Sequence, residues 1–269
     1  MGCKENKENK SEEILSLIET SIKNGNANIK SFQKNLLTNL KRIEKIEKLI
    51  KRCKIILEEK NIYFIRHAQS EHNVLEHKYA HEGFQALDKW NIRDPKLTEK
   101  GIEETKDTIK KLKQLNVHFD SVFVSPLRRA VQTYCLIEKE LNDDAQIIIT
   151  DFIREVLSYK LDKNKGTKLS QLKEEYKNTK LNFEFMTKDY WWFDLGQDIE
   201  AESEGYEKFL IRLYIFILWL IFRPDKNILI ISHSHVFIEI QKSMGIYNAD
   251  IVKLNNEDLL NRVTSLLKS

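Results

Sequence analysis

Short apolar runs that end in charged or proton-handling side chains constrain the fold of this chain more than any other feature. Four such runs lie at 61–65, 121–124, 147–149 and 228–231. Amphipathic stretches of helical length separate them, for example at 97–115 and 127–141. Buried strands that alternate with helices predict an α/β fold, a three-layer α/β/α domain whose central sheet is mostly parallel.

The first run leads directly into Arg66 and His67. A guanidinium stays charged at physiological pH and binds phosphate oxygens in pairs, whereas an imidazole near neutral pH can attack as an unprotonated nucleophile. Ser70 and Asn73 follow shortly after and add neutral donors for the remaining phosphate oxygens. The segment therefore predicts a site that binds a phosphate group and attacks it.

The other three runs supply further groups that such a site needs. The second leads through Ser-Pro-Leu into the first turn of a helix that carries Arg128 and Arg129, and so presents a second guanidinium. The third leads to Glu155, a candidate general acid, and the fourth leads to His233, a second imidazole. His235, two positions further on, is interpreted as a structural residue or as a support for the site.

Taken in order, these motifs resemble those of the histidine phosphatase superfamily, the phosphoglycerate mutase-like proteins. They are Arg-His-x-x-Ser-x-x-Asn from Arg66, Leu-Thr-x-x-Gly from Leu97, Ser-Pro-Leu-Arg-Arg-Ala from Ser125, Glu155, and Ser-His-Ser from Ser232. The resemblance covers about residues 61–245, and several ordered motifs are far more specific than one. It implies an α/β/α fold and a site that works without a metal or another cofactor.

The resemblance also implies a role for each motif residue. His67 is the implied nucleophile, which forms a phosphohistidine, and Glu155 is the implied proton donor, with a pKa that burial raises. Arg129 stands where the family has its conserved arginine, and Arg128 stands at a variable position. The implied phosphate-binding residues are Arg66, Ser70, Asn73, Arg129 and His233.

These roles favour a histidine acid phosphatase-type enzyme, in which water resolves the phosphohistidine. Two alternatives stay open: a phosphoglycerate mutase-type phosphotransferase, and a catalytically silent module that only binds phosphate. The segment 74–96 does not resemble the substrate loop of the glycolytic mutases, which favours the hydrolase. The expected partners are a phosphorylated small molecule or a phosphoprotein, with a homodimer as an option and no nucleic acid.

Three other groups of side chains have plain structural explanations. Histidines beside two glutamates show no metal-ligand spacing and are interpreted as exposed or substrate-facing: His72, His77 and His81 with Glu76 and Glu82. Trp191 and Trp192 are interpreted as a packing or lid element. Four lysines are interpreted as a solvated loop, with a polyanionic substrate as the alternative: Lys160, Lys163, Lys165 and Lys168.

Residues 1–60 form a basic helical extension ahead of the catalytic domain at 61–269. The extension carries 14 Lys and Arg and 9 Glu, a net charge of +5, while the whole chain carries +3. One helix is predicted near 11–23, and a longer one repeats apolar residues every seven positions, at Leu36, Ile43, Ile50 and Leu57. The longer helix is interpreted as packed on the domain or as a short coiled coil, with a membrane-surface or partner-binding helix as the alternative.

The sequence begins Met-Gly-Cys, which makes Gly2 a candidate for myristate and Cys3 a candidate for palmitate. One myristoyl chain binds a membrane only marginally, so palmitate or the basic helix is the expected second signal. The charged start lacks the apolar part of a secretory signal, and the apolar stretch 209–222 is too short for a membrane span. The chain is expected in the cytoplasm, with peripheral association at the cytoplasmic face of a membrane as an option.

Overall fold

The computed structural model describes residues 2–24, 29–157, 162–186, 188–192 and 204–269. Among these residues, five strands form one sheet: β1 (Asn61–Arg66), β2 (Ser121–Val124), β3 (Gln146–Ile149), β4 (Asn227–Ser232) and β5 (Ile251–Lys253). Their spatial order is β3-β2-β4-β1-β5, in which the first four are parallel and β5 is antiparallel to β1. The four apolar runs fall within β1 to β4, so the predicted strands are confirmed.

Helices cover both faces of this sheet. In the described ranges they are α1 (Gly2–Asn24), α2 (Ile29–Ile43), α3 (Ile46–Glu58), α4 (Glu71–Tyr79), α5 (Leu87–Trp90), α6 (Glu99–Leu115), α7 (Arg128–Ile137), α8 (Leu169–Glu175), α9 (Tyr206–Phe222), α10 (Ser234–Gln241) and α11 (Asn256–Lys268). Side chains of β1 alternate between two hydrophobic cores. Ile62 and Phe64 enter a first core with α1–α3 and α9–α11, while Tyr63 and Ile65 enter a second core with α6–α8. The predicted three-layer α/β/α fold is confirmed.

The apolar stretch 209–222 lies in α9, at the centre of the first core. Phe209, Phe216 and Trp219 have no exposed surface, as predicted for a helix buried on the sheet. The buried Arg212 within this helix is neutralised by Glu204, with Nη2 and Oε2 2.9 Å apart. No helix within the described ranges is both long enough and apolar enough to span a membrane.

In its described residues, 2–24 and 29–60, the N-terminal extension folds into three helices, whereas the apolar pattern predicts two. α1 starts at Gly2, well before the predicted start near position 11. The predicted long helix breaks after Ile43, because Lys45, the residue before α3, takes an extended conformation. Arg52 holds the break by donating to both carboxylate oxygens of Glu44, at 2.9 and 3.2 Å. The break redirects the chain so that α2 packs on α9 while α3 packs on both α9 and α11.

The seven-residue apolar pattern is used for packing on the catalytic domain. Leu36 and Leu57 are buried in the first core, and Ile43 and Ile50 pack against it as partly buried residues. The interpretation of a helix packed on the domain is confirmed. The apolar stripe is consequently covered by protein and is not offered to a membrane surface.

The predicted acylation positions lie at the start of α1. The side chains of residues 1–8 are outside what the structure describes, so acylation of Gly2 and Cys3 stays a prediction. The solvent side of the extension remains strongly basic, with exposed Lys41, Arg42, Lys45, Lys48, Lys51 and Lys54. Peripheral membrane association, also still a prediction, would depend on this charge and on acyl chains.

Gly101, from the Leu-Thr-x-x-Gly motif, lies where α6 passes the loop that follows His67. Thr98 caps the helix by accepting a hydrogen bond from Gly101 N at 3.0 Å, and Thr98 N donates to Gln69 O at 3.0 Å. A Cβ placed on Gly101 would lie 2.1 Å from that same Gln69 oxygen. Glycine therefore allows the helix to hold the loop at this close distance.

Gly101→Ala is expected to lower the free energy of unfolding by about 1–3 kcal/mol, because the added methyl group forces the Gln69 backbone away from the helix. Urea denaturation measures this change. Glu103→Ala is the matched control on α6, since Glu103 is exposed and pairs with an exposed Lys106. Its effect should stay within about 0.5 kcal/mol, and equal losses in the two variants would contradict the argument from close packing.

Candidate active site

The predicted site residues meet at a cavity of about 100 Å³ where β1 and β4 end. Parallel pairing sets Arg66 beside Ser232, and His67 N donates to Ser232 O at 2.9 Å, so the residues after the two strands are neighbours. The cavity is lined by Arg66, His67, His72, Asn73, Glu76, Arg129, Glu155, Lys163, Asn164, Ser234 and His235. Two predicted site residues, Ser70 and His233, do not line it.

His67 is held as a neutral imidazole in one tautomer. Its Nδ1 lies 2.8 Å from the carbonyl oxygen of Ala68, which can only accept, so Nδ1 carries the proton. Nε2 then has a lone pair, and Arg129 Nε donates to it at 3.2 Å. Burial, reinforced by the charges of Arg129 and then Arg66, holds the pKa of His67 well below its ordinary value. Nε2 is therefore available as a nucleophile at neutral pH.

Arg129 reaches the cavity from the first turn of α7 and is only 4% exposed. Three of its five N–H groups are held by described residues: Nε by His67, Nη1 by the Lys163 carbonyl at 2.9 Å, and Nη2 by Asn164 Oδ1 at 2.9 Å. Two N–H groups are left for a phosphoryl group. Burial lowers the pKa of Arg129 to about 10, so the guanidinium stays charged at neutral pH.

Arg66, the last residue of β1, is anchored by its Nη1, which donates to Ile246 O at 2.8 Å. The loop that contains Ile246 also holds the neighbouring backbone. Ala249 N donates to Arg66 O at 3.0 Å, and Asn248 Nδ2 donates to His67 O at 2.9 Å. Arg66 Nε is buried without a hydrogen-bond partner among the described residues. This unused donor on the cavity wall is suited to an anion.

Ser70 and Asn73 have different positions. Ser70 has no exposed surface, and its N and Oγ both donate to Asn73 Oδ1 at 3.0 Å. Asn73 lines the cavity, and because Ser70 occupies its Oδ1, its Nδ2 is the group that it can offer to a phosphate. The structure thus places Ser70 behind Asn73, as a residue that orients it, and not on the cavity wall as predicted.

His233 lies behind His67, with their ring centroids 5.1 Å apart. Its Nε2 is 2.7 Å from Oγ of Ser125, the residue after β2. Its Nδ1 is buried and has no partner among the described residues. Burial and then the charge of Arg129 lower the pKa of His233 well below its ordinary value, so the ring is neutral. Since the Ser125 hydroxyl can donate to Nε2, Nδ1 can carry the proton. Because His233 is fully buried and does not line the cavity, it contacts the site through the packing of its ring against His67.

Glu155 is on the cavity wall, and its side chain is 9% exposed. Oε1 accepts from Val156 N at 2.9 Å, and Oε2 accepts from His235 N at 3.3 Å and lies 3.2 Å from His235 Nδ1. Burial raises the pKa of Glu155, but the hydrogen bond and charge of His235, then Val156 N and Arg129, outweigh burial and lower it below its ordinary value. The prediction of a raised pKa for Glu155 is wrong, because it considered the effect of burial but not that of the His235 imidazole.

A chain of ionisable groups forms another part of the wall. Glu76 joins two neighbours: Oε2 lies 3.0 Å from His72 Nε2, and Oε1 lies 3.0 Å from Lys163 Nζ. The contact with His72 lowers the pKa of Glu76 to about 2. His72 is buried but lines the cavity, which agrees with the substrate-facing option of its interpretation and not with the exposed one. Lys163 also lines the cavity, so the interpretation of a solvated lysine is wrong at this position.

The remaining predictions concern residues away from the cavity. His77 and His81 are exposed, and Trp191 and Trp192 are each 1% exposed and pack in the second core, as predicted. Lys160 lies outside the described residues. Among the residues that are described, no group of three or more His, Cys, Asp or Glu side chains could hold a metal ion.

Two asparagines that shape the cavity were missed by sequence reasoning. Asn164 accepts from Arg129 and donates through Nδ2 to Val156 O at 2.7 Å, so it joins the guanidinium to the segment that carries Glu155. Asn248 holds the His67 carbonyl. Both stand outside every motif, and the only signal in the sequence is a short polar side chain in a loop.

A family model and several curated proteins match this chain. The family model of the histidine phosphatase superfamily (branch 1) matches residues 62–243, more than half of the chain. A 2,3-bisphosphoglycerate-dependent phosphoglycerate mutase of Mannheimia succiniciproducens is 40% identical over 81 residues, which cover 30% of this chain and 31% of the mutase. The mutase of the same name from Bradyrhizobium sp. (strain BTAi1) is 38% identical over 85 residues, 32% of this chain and 36% of the mutase. The match thus spans about a third of each mutase.

Solved structures align with more of the chain at lower identity. Alpha-ribazole phosphatase from Shigella flexneri has a TM-score of 0.42 and 24% identity, with 66% of this chain and 76% of that chain covered. Ecdysone phosphate phosphatase from Bombix mori has a TM-score of 0.49 and 12% identity, with 71% of this chain and 87% of that chain covered. Similarity at this level is too low to transfer a function.

Proposed function

Because the chain belongs to the histidine phosphatase superfamily, we propose that it hydrolyses phosphomonoesters through a phosphohistidine formed on His67. The observation that carries the proposal is the state of His67, a neutral imidazole with its proton on Nδ1 and its Nε2 beside Arg129. The cavity of about 100 Å³ admits little more than a phosphoryl group. The rest of the substrate, a phosphorylated small molecule or a phosphoprotein side chain, stays outside it.

In the first half-reaction, the hydrogen bond from Arg129 Nε to His67 Nε2 breaks and frees the lone pair of Nε2. Nε2 then attacks phosphorus and the leaving oxygen departs on the opposite side. Arg66, the two remaining N–H groups of Arg129 and Asn73 Nδ2 bind the phosphoryl oxygens. Fixed donors of this kind supply most of the catalysis in phosphoryl transfer, and two guanidiniums provide the neutralising charge without a metal. In the second half-reaction, water attacks the phosphohistidine and His67 departs as a neutral imidazole, held by the Ala68 carbonyl.

Glu155 protonates the leaving oxygen and then deprotonates water. Its lowered pKa keeps it ionised before substrate binds. A bound phosphate dianion beside the carboxylate repels its negative charge. This repulsion disfavours the ionised form and so raises the pKa of Glu155 in the complex. Substrate binding thereby converts Glu155 into the acid that the first half-reaction needs.

Hydrolysis is favoured over return of the phosphoryl group to a product. The imidazole of His235 is 63% exposed and contacts Glu155, so solvent reaches the direct neighbour of the proposed acid–base group. A mutase must shelter its phosphohistidine from water. The similarity to phosphoglycerate mutases keeps a phosphotransferase as the second candidate.

Hydrolysis of p-nitrophenyl phosphate by the purified protein, with and without a metal chelator, tests the proposed function. We expect turnover that the chelator does not change. Loss of turnover with chelator would contradict a metal-free reaction. Interconversion of 3-phosphoglycerate and 2-phosphoglycerate, without hydrolysis, would favour the second candidate.

Glu155→Gln is expected to lower kcat/KM for an alkyl phosphate by about 10²–10³-fold and to affect p-nitrophenyl phosphate far less. Glutamine keeps the size of the side chain but carries no proton for the leaving group, and nitrophenolate departs without one. The measurement is the ratio of kcat/KM for β-glycerophosphate and p-nitrophenyl phosphate.

Glu76→Gln is the matched control for Glu155→Gln. Glu76 lines the same cavity but is held by His72 and Lys163, so its loss should affect both substrates alike. A loss in Glu155→Gln that does not depend on the leaving group would show that Glu155 is not the acid.

A further inference from the structure

His235 joins the buried carboxylate of Glu155 to solvent. The side chain of His235 is 63% exposed, that of Glu155 is 9% exposed, and Nδ1 lies 3.2 Å from Oε2. The backbone N of His235, in the first turn of α10, donates to the same oxygen at 3.3 Å. His235 follows the Ser-His-Ser motif, which ends at Ser234. The two contacts to Glu155 are therefore made by a residue outside the motif.

The charges around His235 indicate where its proton is held. The hydrogen bond and charge of Glu155 raise the pKa of His235, against burial and the positive charges of Lys163 and Arg66. The same contact is the largest cause that lowers the pKa of Glu155. The contact therefore favours an arrangement in which the imidazole holds the proton beside an ionised carboxylate.

We propose that His235 is a positioning residue that stores the proton used by Glu155, releasing it in the first half-reaction and recovering it in the second. The inference rests on the proposed hydrolase function and adds the source of the proton. The exposed edge of the ring lets the pair regain a lost proton from solvent.

The proton count closes over one turnover. In the first half-reaction, the Nδ1–H bond of His235 breaks and an O–H bond forms on Glu155. That proton moves to the leaving oxygen as its bond to phosphorus breaks and the bond from His67 Nε2 to phosphorus forms. In the second, the oxygen of water bonds to phosphorus and the Nε2–phosphorus bond breaks. The proton of water passes to Glu155 and back to His235 Nδ1.

NMR titration of the His235 imidazole tests the shared proton without reference to turnover. We expect the pKa of His235 to lie above its ordinary value in the wild-type protein and to fall by about one pH unit or more in Glu155→Gln. An equal pKa in the two proteins would overturn the inference.

Kinetics of His235→Asn test whether the stored proton is used. Asparagine places an amide nitrogen near the position of Nδ1, so it keeps a contact to Glu155 but does not titrate. We expect kcat/KM for β-glycerophosphate at about pH 7.5 to fall on the order of 10–100-fold, and that for p-nitrophenyl phosphate by less than about threefold. The alkaline limb of the pH–rate profile should move to lower pH, because Glu155 alone loses its proton earlier than His235 does.

Two further variants separate a proton store from a structural contact. His77→Asn changes an exposed histidine on α4 and should keep the wild-type profile. His235→Ala should regain part of its rate with added imidazole, since this position is open to solvent. A wild-type pH–rate profile in His235→Asn would overturn the inference. A wild-type protein without any turnover would instead contradict the proposed function, and the titration would still decide whether the pair shares a proton.

Discussion

Replacing His67 by alanine is expected to lower kcat/KM for phosphomonoester hydrolysis by at least about 10⁴-fold. His67 supplies the unprotonated Nε2 that lies 3.2 Å from Arg129. Without it, Arg66 and Arg129 still attract phosphate, but no bond to phosphorus can form. Affinity for inorganic phosphate should therefore survive the loss of turnover, and this combination identifies the nucleophile.

Rapid mixing with radiolabelled substrate measures the covalent intermediate directly, as an acid-labile and alkali-stable label on the protein. His67 is 4% exposed, so alanine leaves a small cavity and costs some stability. His67→Asn is the second variant, because its amide fills more of the space and can still donate to the Ala68 carbonyl. Labelling or turnover that persists in a folded His67→Asn protein would contradict the assignment of His67 as the nucleophile.

Arg129→Lys is expected to lower kcat/KM by about 10²–10³-fold although the charge is kept. The guanidinium uses separate nitrogens to bind His67, the Lys163 carbonyl and Asn164, and still has two N–H groups for phosphate. A lysine ammonium has one nitrogen and cannot hold these partners in one plane. Phosphate binding and the placement of His67 should both weaken.

Arg128→Lys is the matched control, one residue away on the same helix. Arg128 Nη2 pairs with Glu175 Oε2 at 2.6 Å and the side chain is 25% exposed, outside the cavity lining. Its replacement should change kcat/KM by less than about threefold, since exposed ion pairs contribute little. Steady-state kinetics of the two variants, side by side, compare the two arginines. Similar losses in both would contradict the assignment of Arg129 to the phosphate pocket.

The sequence predicts those parts of the site that depend on local order. Arg66 and His67 follow four buried residues of β1, and α7 begins at Arg128 shortly after β2. Apolar runs of this kind determine strands, and parallel strands bring the residues after them to one edge of the sheet. Both guanidiniums and the imidazole of His67 therefore reach the cavity from continuous segments that the motifs already mark.

Contacts between distant segments are the part that the sequence does not predict. Asn164 and Asn248 bind Arg129 and His67 from far along the chain, and no local pattern marks either asparagine. The direction of the pKa shift of Glu155 depends on His235 in the same way. An apolar run in the sequence indicates that the residues near it are buried. The contact between His235 and Glu155 is known only from the folded structure.

The core that α9 shares with the N-terminal helices has a consequence for biosynthesis. Ile14, Ile18 and Leu36 are buried in the same core as Phe216 of α9. The ribosome completes α3 about 150 residues before it starts α9, an interval of roughly 7–30 s at ordinary elongation rates. Until then the apolar stripe of the nascent extension lacks its native contacts with α9. This stretch is accordingly where a chaperone would be needed, and a translational pause before α9 would prolong that need.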